Sequence, residues 1–223
     1  LQLDAARAKV SFSSENLLGH GGFADVYRGT YRFPTHAPVH AAFKLFKNSQ
    51  ILDAKLLELV QSEALVGSRL QHEHIVGMYG VLKLDAGLAL VLELAEGGSL
   101  WATLRAAEPP WQQRIEWLLG VARGIAYLHG VRPTPIIHRD LKAANVLLGS
   151  AADGRSIAKV SDFGLAQTMQ TIRTTISHAG GSSRAGTLAW KAPETFRGKY
   201  SDKSDIFGFA MIIYETVSRT APF

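Results

Sequence analysis

Ile136-Ile-His-Arg-Asp-Leu-Lys-Ala-Ala-Asn-Val-Leu-Leu148 places a carboxylate, an ammonium and an amide at fixed intervals between two short apolar runs. The pattern predicts a strand, a polar loop and a second strand. Ile136 and Ile137 at one end, with Val146 to Leu148 at the other, can anchor in a core and leave Asp140, Lys142 and Asn145 on a loop held from both sides. A loop anchored in that way can hold chemistry in place.

Beyond it, residues 149–156 form a polar turn and Ile157-Ala-Lys-Val160 a returning strand, followed at once by Ser161-Asp162-Phe163-Gly164. An Asp at the end of a buried strand, before a bulky apolar residue and a glycine hinge, suits a metal carboxylate on a segment able to move. Upstream, Ile115, Leu118, Leu119, Ala122, Ile125 and Leu128 recur at helical spacing within Trp111–His129 and predict a long core helix.

His138-Arg-Asp-Leu-Lys-Ala-Ala-Asn145, with Asp162-Phe-Gly164 seventeen residues further on, resembles the catalytic loop and metal-binding motif of protein kinases. The resemblance implies that Asp140 accepts or orients a hydroxyl proton, that Lys142 steadies the transferring phosphoryl group, and that Asn145 and Asp162 hold Mg2+ beside ATP. It covers about residues 13–223, with the motifs in the expected order.

From Leu17, two apolar runs joined by Gly19, Gly21 and Gly22 read as strand–turn–strand. No helical pattern follows, which disfavours loops that need a helix N-terminus at the phosphate and leaves a hairpin lid. With Val26 it resembles the kinase glycine-rich loop, Phe23 at its tip and Ala24 in place of the third glycine, a change expected to stiffen the lid. Val39–Phe46 is an extended apolar run interrupted by Lys44, and Ala41-Ala42-Phe-Lys44 resembles the motif whose lysine holds nucleotide phosphates. An amphipathic helix is predicted over 54–70, with Leu65 and Val66 on its apolar side. The resemblance pairs its Glu63, nine residues before His72, with Lys44. Gly67 stands where kinases usually carry an apolar side chain, so a gap and a loosely held helix are expected. Strands are expected at 75–84 and 87–94, and Leu88–Leu100, which changes from strand to a turn at Gly97-Gly98, reads as a connection between two lobes and resembles the kinase hinge. By that resemblance Leu92 stands beside the adenine pocket, the main chain of Glu93 and Ala95 bonds the ring, and Ala42 and Leu147 line the nucleotide site.

Residues 165–185 are rich in Thr, Ser and Gly and predict a mobile loop, with Thr168, Thr171, Thr174, Thr175, Ser177, Ser182, Ser183 and Thr187 as candidate phosphoacceptors that Arg139 can pair. Gly186–Glu194 resembles the end of a kinase activation segment, with Lys191 where a methionine or tyrosine is common. Asp202–Val217 is apolar nearly all round from Ile206 to Tyr214 and predicts a helix buried in a lobe core, its Asp205 resembling the aspartate that ties down the catalytic loop. Glu194 has no arginine in view to pair with, and the chain reads as a kinase domain lacking its C-terminal helices.

The fold expected is α+β and bilobal: residues 1–94 an N-lobe of a five-stranded antiparallel sheet plus one helix, residues 95–223 a mainly helical, incomplete C-lobe. At 223 residues and 47% hydrophobic, the chain can bury one or two cores. No apolar run of about 18 residues and no leader pattern predicts a membrane or secretory segment. The absence of cysteine excludes disulfides and thiolate metal sites and fits a reducing, cytoplasmic compartment. A net charge of +5 with dispersed basic residues points to phosphates or acidic substrates rather than nucleic acid.

Lys142 and Gly186-Thr187 resemble Ser/Thr kinases, whereas Ala143-Ala144-Asn145 and Trp190 resemble tyrosine kinases; the mixture resembles the tyrosine-kinase-like group, whose members mostly act on Ser or Thr. The function expected is transfer of phosphate from Mg-ATP to Ser/Thr hydroxyls of protein substrates. Its rivals are a nucleotide-binding scaffold with weak or no transfer, tyrosine or dual specificity, and a small-molecule phosphotransferase of related fold, which would generally lack the peptide-docking segment at 186–194.

Overall fold

The computed structural model describes residues 2–21, 24–46, 64–84, 87–163 and 185–222. They fall into two compact units, Leu1–Gln71 with Gly77–Leu94, and His72–Val76 with Ala95–Phe223.

The first unit is an antiparallel sheet of β1 (Ala8–Val10), β2 (Leu17–His20), β3 (Ala24–Tyr31), β4 (Val39–Phe46), β5 (Met78–Leu84) and β6 (Gly87–Glu93), in the order β1-β3-β4-β6-β5 with β2 also on β3. It has six strands where the sequence pattern predicts five. β3 is eight residues long and β2 only four, so the remaining edge of β3 is covered by β1, through Ala8↔Tyr31 to Val10↔Gly29. Three residues are too few to give a periodic signal. Along β4, Ala41 and Phe43 are fully buried in a core with Tyr31, Leu82, Ala89 and Val91. Strand alternation turns Ala42 and Lys44 to the other face.

β5 starts later than the apolar run suggests, because Ile75 and Val76 belong to the second unit, where the Val76 N–H donates to the Val160 carbonyl at 2.9 Å. Residues 64–67 are helical, with Ala64 and Gly67 buried. Leu65 and Val66, expected on the apolar side, are 40% and 49% exposed because the helical period turns them away from that pair.

The second unit carries α1 (Leu100–Ala106), α2 (Trp111–Gly130), the hairpin β7 (Val146–Ser150) and β8 (Ser156–Val160), and α3 (Asp202–Ser218). Ser99 caps α1 by accepting the Ala102 N–H. Ser201 caps α3, accepting the Lys203 N–H while its own N–H donates to Ser204 Oγ. α2 buries Arg114, Trp117, Gly120, Val121, Gly124, Ile125 and Leu128, whereas Ile115 and Leu119 of the expected face are exposed. The buried face contains glycines because the main chain is approached there: a Cβ on Gly124 would lie 2.6 Å from the His74 carbonyl. α3 likewise is not buried all round. It buries Ser204, Asp205, Gly208, Ile212, Glu215 and Thr216, and leaves Ile206, Ile213, Tyr214 and Val217 exposed. No described helix is long and apolar enough to cross a membrane.

Candidate active site

The loop 138–145 lies in the second unit, and the strand expected before it forms no ladder. Irregular backbone leaves N–H groups to be satisfied by other means, and α3 supplies the acceptors. Asp205, 2% exposed in its first turn, accepts the His138 N–H on Oδ2 at 2.8 Å and the Arg139 N–H on Oδ1 at 2.9 Å; His129 Nε2 donates to Oδ2 at 2.8 Å. Arg139 is thereby held at φ +71°, a region costly for a residue with a Cβ. Glu215, 1% exposed, accepts both the Ala143 N–H at 2.9 Å and Trp190 Nε1–H at 2.7 Å on Oε2. Burial raises its carboxyl above the usual range, against those two bonds and the charge of Lys142. Between these anchors α3 comes close: a Cβ on Gly208 would lie 2.8 Å from Leu141 Cβ.

So fixed, the loop presents Asp140 with its two oxygens differently engaged. Oδ2 takes Lys142 Nζ at 3.0 Å and accepts from Asn145 Nδ2 at 3.1 Å, and the same amide donates to the Asp140 carbonyl at 2.7 Å. Oδ1 has Lys191 Nζ at 3.9 Å, beyond hydrogen-bond length. Two acceptors on Nδ2 fix the orientation of the Asn145 amide, which leaves its Oδ1 as the ligand atom a hard cation needs.

His138, fully buried, links this loop to the metal motif. Its Nδ1 accepts the Asp140 N–H at 3.3 Å, so Nε2 carries the proton and donates to the Ser161 carbonyl at 2.8 Å. Ser161 closes the link, its N–H and Oγ both donating to the Asn145 carbonyl at 2.9 Å. Asp162 follows directly at φ +62°. The pair predicted to hold a cation is thus mounted on one bonded frame.

The first unit places the other predicted residues. In register, Lys44 stands between Val26 and Leu90, Ala42 between Arg28 and Leu92, and Gly19 opposite Val26. The Gly21 N–H donates to the Ala24 carbonyl at 2.9 Å. Glu93 exchanges bonds with Gly77, its N–H donating to the Gly77 carbonyl at 2.8 Å and its Oε2 accepting the Gly77 N–H at 2.9 Å. Burial, then the charge of Glu93, raises the Tyr79 hydroxyl. Ala95 and Leu147 belong to the second unit, where Leu147 bridges to Ser99. Glu63, Phe23, Gly164 and the candidate phosphoacceptors from Thr168 to Ser183 lie outside the described residues.

Gly67 does not leave the expected gap: a Cβ there would lie 2.9 Å from Met78 Sδ, so the thioether already fills that space. Glu194 also has a partner, accepting from Ser204 Oγ at 3.0 Å. Sequence reasoning missed His138, Ser161, His129 and Glu215 as supports. Two acids in an otherwise apolar helical stretch are the available signal, and the family resemblance singles out only the first of them.

A lysine-bearing antiparallel sheet in one unit, and in the other a loop whose carboxylate is flanked by lysine and amide, define the class as a protein kinase. Residues 12–222 match the family described as "Protein tyrosine and serine/threonine kinase", and the chain belongs to that family. It is 35% identical over 214 residues to mitogen-activated protein kinase kinase kinase 10 of Mus musculus, covering 94% of this chain and 22% of that protein. With mitogen-activated protein kinase kinase kinase 7 of Homo sapiens it shares 36% identity over 214 residues, 94% of this chain and 32% of the relative. For the Drosophila melanogaster protein of that name the identity is 34% over 229 residues, 99% of this chain and 31% of the relative. The chain spans between a fifth and a third of the length of these relatives, and they place it with the tyrosine-kinase-like kinases.

Proposed function

We propose that this domain transfers the γ-phosphoryl group of Mg-ATP to Ser/Thr hydroxyls of protein substrates in a signalling pathway. One observation carries the proposal: Lys142 and Asn145 both engage Asp140 Oδ2, so Oδ1 is the oxygen turned to an incoming hydroxyl. Asp140 orients that hydroxyl and takes its proton as the new P–O bond forms and the bond to the β,γ-bridging oxygen breaks. Lys142, 3.0 Å from the same carboxylate, balances negative charge on the moving phosphoryl group. Asn145 Oδ1 and the Asp162 carboxylate are the residues that would hold magnesium, which supplies charge neutralisation at the phosphates.

In the first unit, Lys44 is assigned to the phosphates with Glu63 as its partner, Gly19, Gly21 and Val26 to the lid, Ala42 and Leu92 to the adenine environment, and the main chain of Glu93 to the ring edge. The second unit adds Leu147 and the main chain of Ala95. Ser/Thr preference is supported by Lys142 and by the kinase kinase kinases among the relatives. The cysteine-free chain fits a cytoplasmic setting.

The test is transfer of labelled phosphate from ATP by wild type and Asp140→Asn, followed by phosphoamino-acid analysis. A loss of about 10³-fold in kcat, with label on Ser or Thr, is expected. Equal transfer by both proteins refutes the assignment, and nucleotide binding without transfer in wild type leaves the scaffold function.

A further inference from the structure

We propose that Lys191 makes the acceptor site selective for hydroxyls flanked by Asp or Glu, an inference that rests on the kinase activity proposed above. Lys191 stands in the segment 186–194, and its ammonium turns back onto the catalytic loop. It donates to the Arg139 carbonyl at 3.2 Å, lies over the Tyr200 ring at 5.8 Å, and stands 3.9 Å from Asp140 Oδ1. The last distance is too long for a charge-assisted hydrogen bond, which runs at about 2.7–2.9 Å. Nor does Asp140 need a second cation, because Lys142 already lies 3.0 Å from its other oxygen. Taken together, these three side chains leave one positive charge over. The ammonium is held by a main-chain carbonyl and keeps donors to spare, and the Lys191 side chain is 23% exposed.

A hydroxyl oxygen bonded to Asp140 Oδ1 sits about 2.7 Å from it. It therefore lies within about 7 Å of Lys191 Nζ whatever its direction of approach, since that atom is 3.9 Å from Oδ1. A side chain next to the acceptor residue that is directed toward Lys191 then falls within a Debye length, about 8–10 Å, of an uncompensated ammonium. A flanking carboxylate is attracted and a flanking lysine repelled.

The test compares kcat/KM of the protein on peptide sets that differ only in Asp, Glu, Ala or Lys beside the acceptor serine. Wild type should favour an acidic over a neutral neighbour by roughly threefold at one position at least, as an exposed pair gives. Lys191→Met should erase that ratio, Lys191→Arg keep it, and Lys191→Glu turn it toward the lysine peptide. Each ratio is taken within one protein, so a general loss of activity cancels. In wild type alone, rising salt should compress the preference. An acidic preference that survives undiminished in Lys191→Met, or is absent from wild type, overturns the proposal. If wild type transfers phosphate to no peptide at all, the kinase assignment falls and this inference with it; transfer without the preference sinks the inference alone.

Discussion

Replacing Asp205 with asparagine tests whether α3 holds the catalytic loop in its working shape. The carboxylate is 2% exposed and accepts three bonds: Oδ2 from the His138 N–H and His129 Nε2, Oδ1 from the Arg139 N–H. Asparagine has the same shape but one oxygen. Whichever way the amide is turned, its NH2 meets a main-chain N–H, of His138 or of Arg139, and that donor loses its acceptor. An unsatisfied buried donor costs about 1–3 kcal/mol, and lost charge assistance on the surviving bonds adds about 1 kcal/mol. The expected loss is therefore about 2–4 kcal/mol. Arg139, held at φ +71°, stores roughly 1 kcal/mol of strain that a weakened tether releases, and relaxation there moves Asp140 beside it. Misplacing a catalytic group by about 1 Å costs on the order of 10²-fold in rate. Urea unfolding followed by tryptophan fluorescence should show a lower midpoint, and steady-state kinetics a drop in kcat of about that size with little change in KM for ATP. A stability change below about 0.5 kcal/mol, or full kcat in a measurably destabilised variant, would falsify the tether.

Glu215→Gln probes the other anchor. Both of its bonds are accepted by Oε2, so a glutamine oxygen in that place keeps them while the buried charge is removed. Because burial raises the native carboxyl above its ordinary 4.5, the stability it contributes is fully present below that pH and is lost as pH rises through the native value. Denaturant midpoints of the glutamine variant should therefore gain on wild type as pH rises from about 4.5 toward neutrality, by about 1.4 kcal/mol for each pH unit between the ordinary and the native value; parallel pH profiles would refute this. Two glycine substitutions should separate a yielding contact from a rigid one. Gly67→Ala meets only the flexible end of Met78 and gains helix propensity, so its stability should stay level or rise by up to about 1 kcal/mol. Gly124→Ala meets the His74 carbonyl at 2.6 Å and should cost about 1–3 kcal/mol in the same unfolding assay; equal effects at the two sites would count against the contacts.

What was legible in the sequence was local. The bounds of β4 follow from an apolar run with one charge in it, and the gathering of Asp140, Lys142 and Asn145 on one loop follows from their close spacing. The faces of the long helices were not legible, because hydrophobic periodicity weighs side-chain size. α2 turns Gly120 and Gly124 inward so that main chain can pack close, and leaves Leu119 51% exposed. The support of the loop was hidden for another reason. His138 and the acceptor of its N–H are 67 residues apart, a separation no period encodes.

Two buried acids on α3 follow from the job of the loop itself. To present Asp140, residues 138–142 leave regular structure, and the N–H groups of His138, Arg139 and Ala143 find no ladder partner. Water cannot serve them in a packed interior, and an apolar side chain offers no acceptor. A carboxylate does, despite its desolvation, because charge-assisted bonds to main-chain N–H groups offset much of the cost. Asp205 and Glu215 are ten residues apart, about 15 Å along the helix axis, so one rigid element grips the loop before and after Asp140. An apolar replacement at either position would improve the helix as a hydrophobic element and leave the loop without its shape, which is why α3 buries polar side chains at both ends of its apolar stretch.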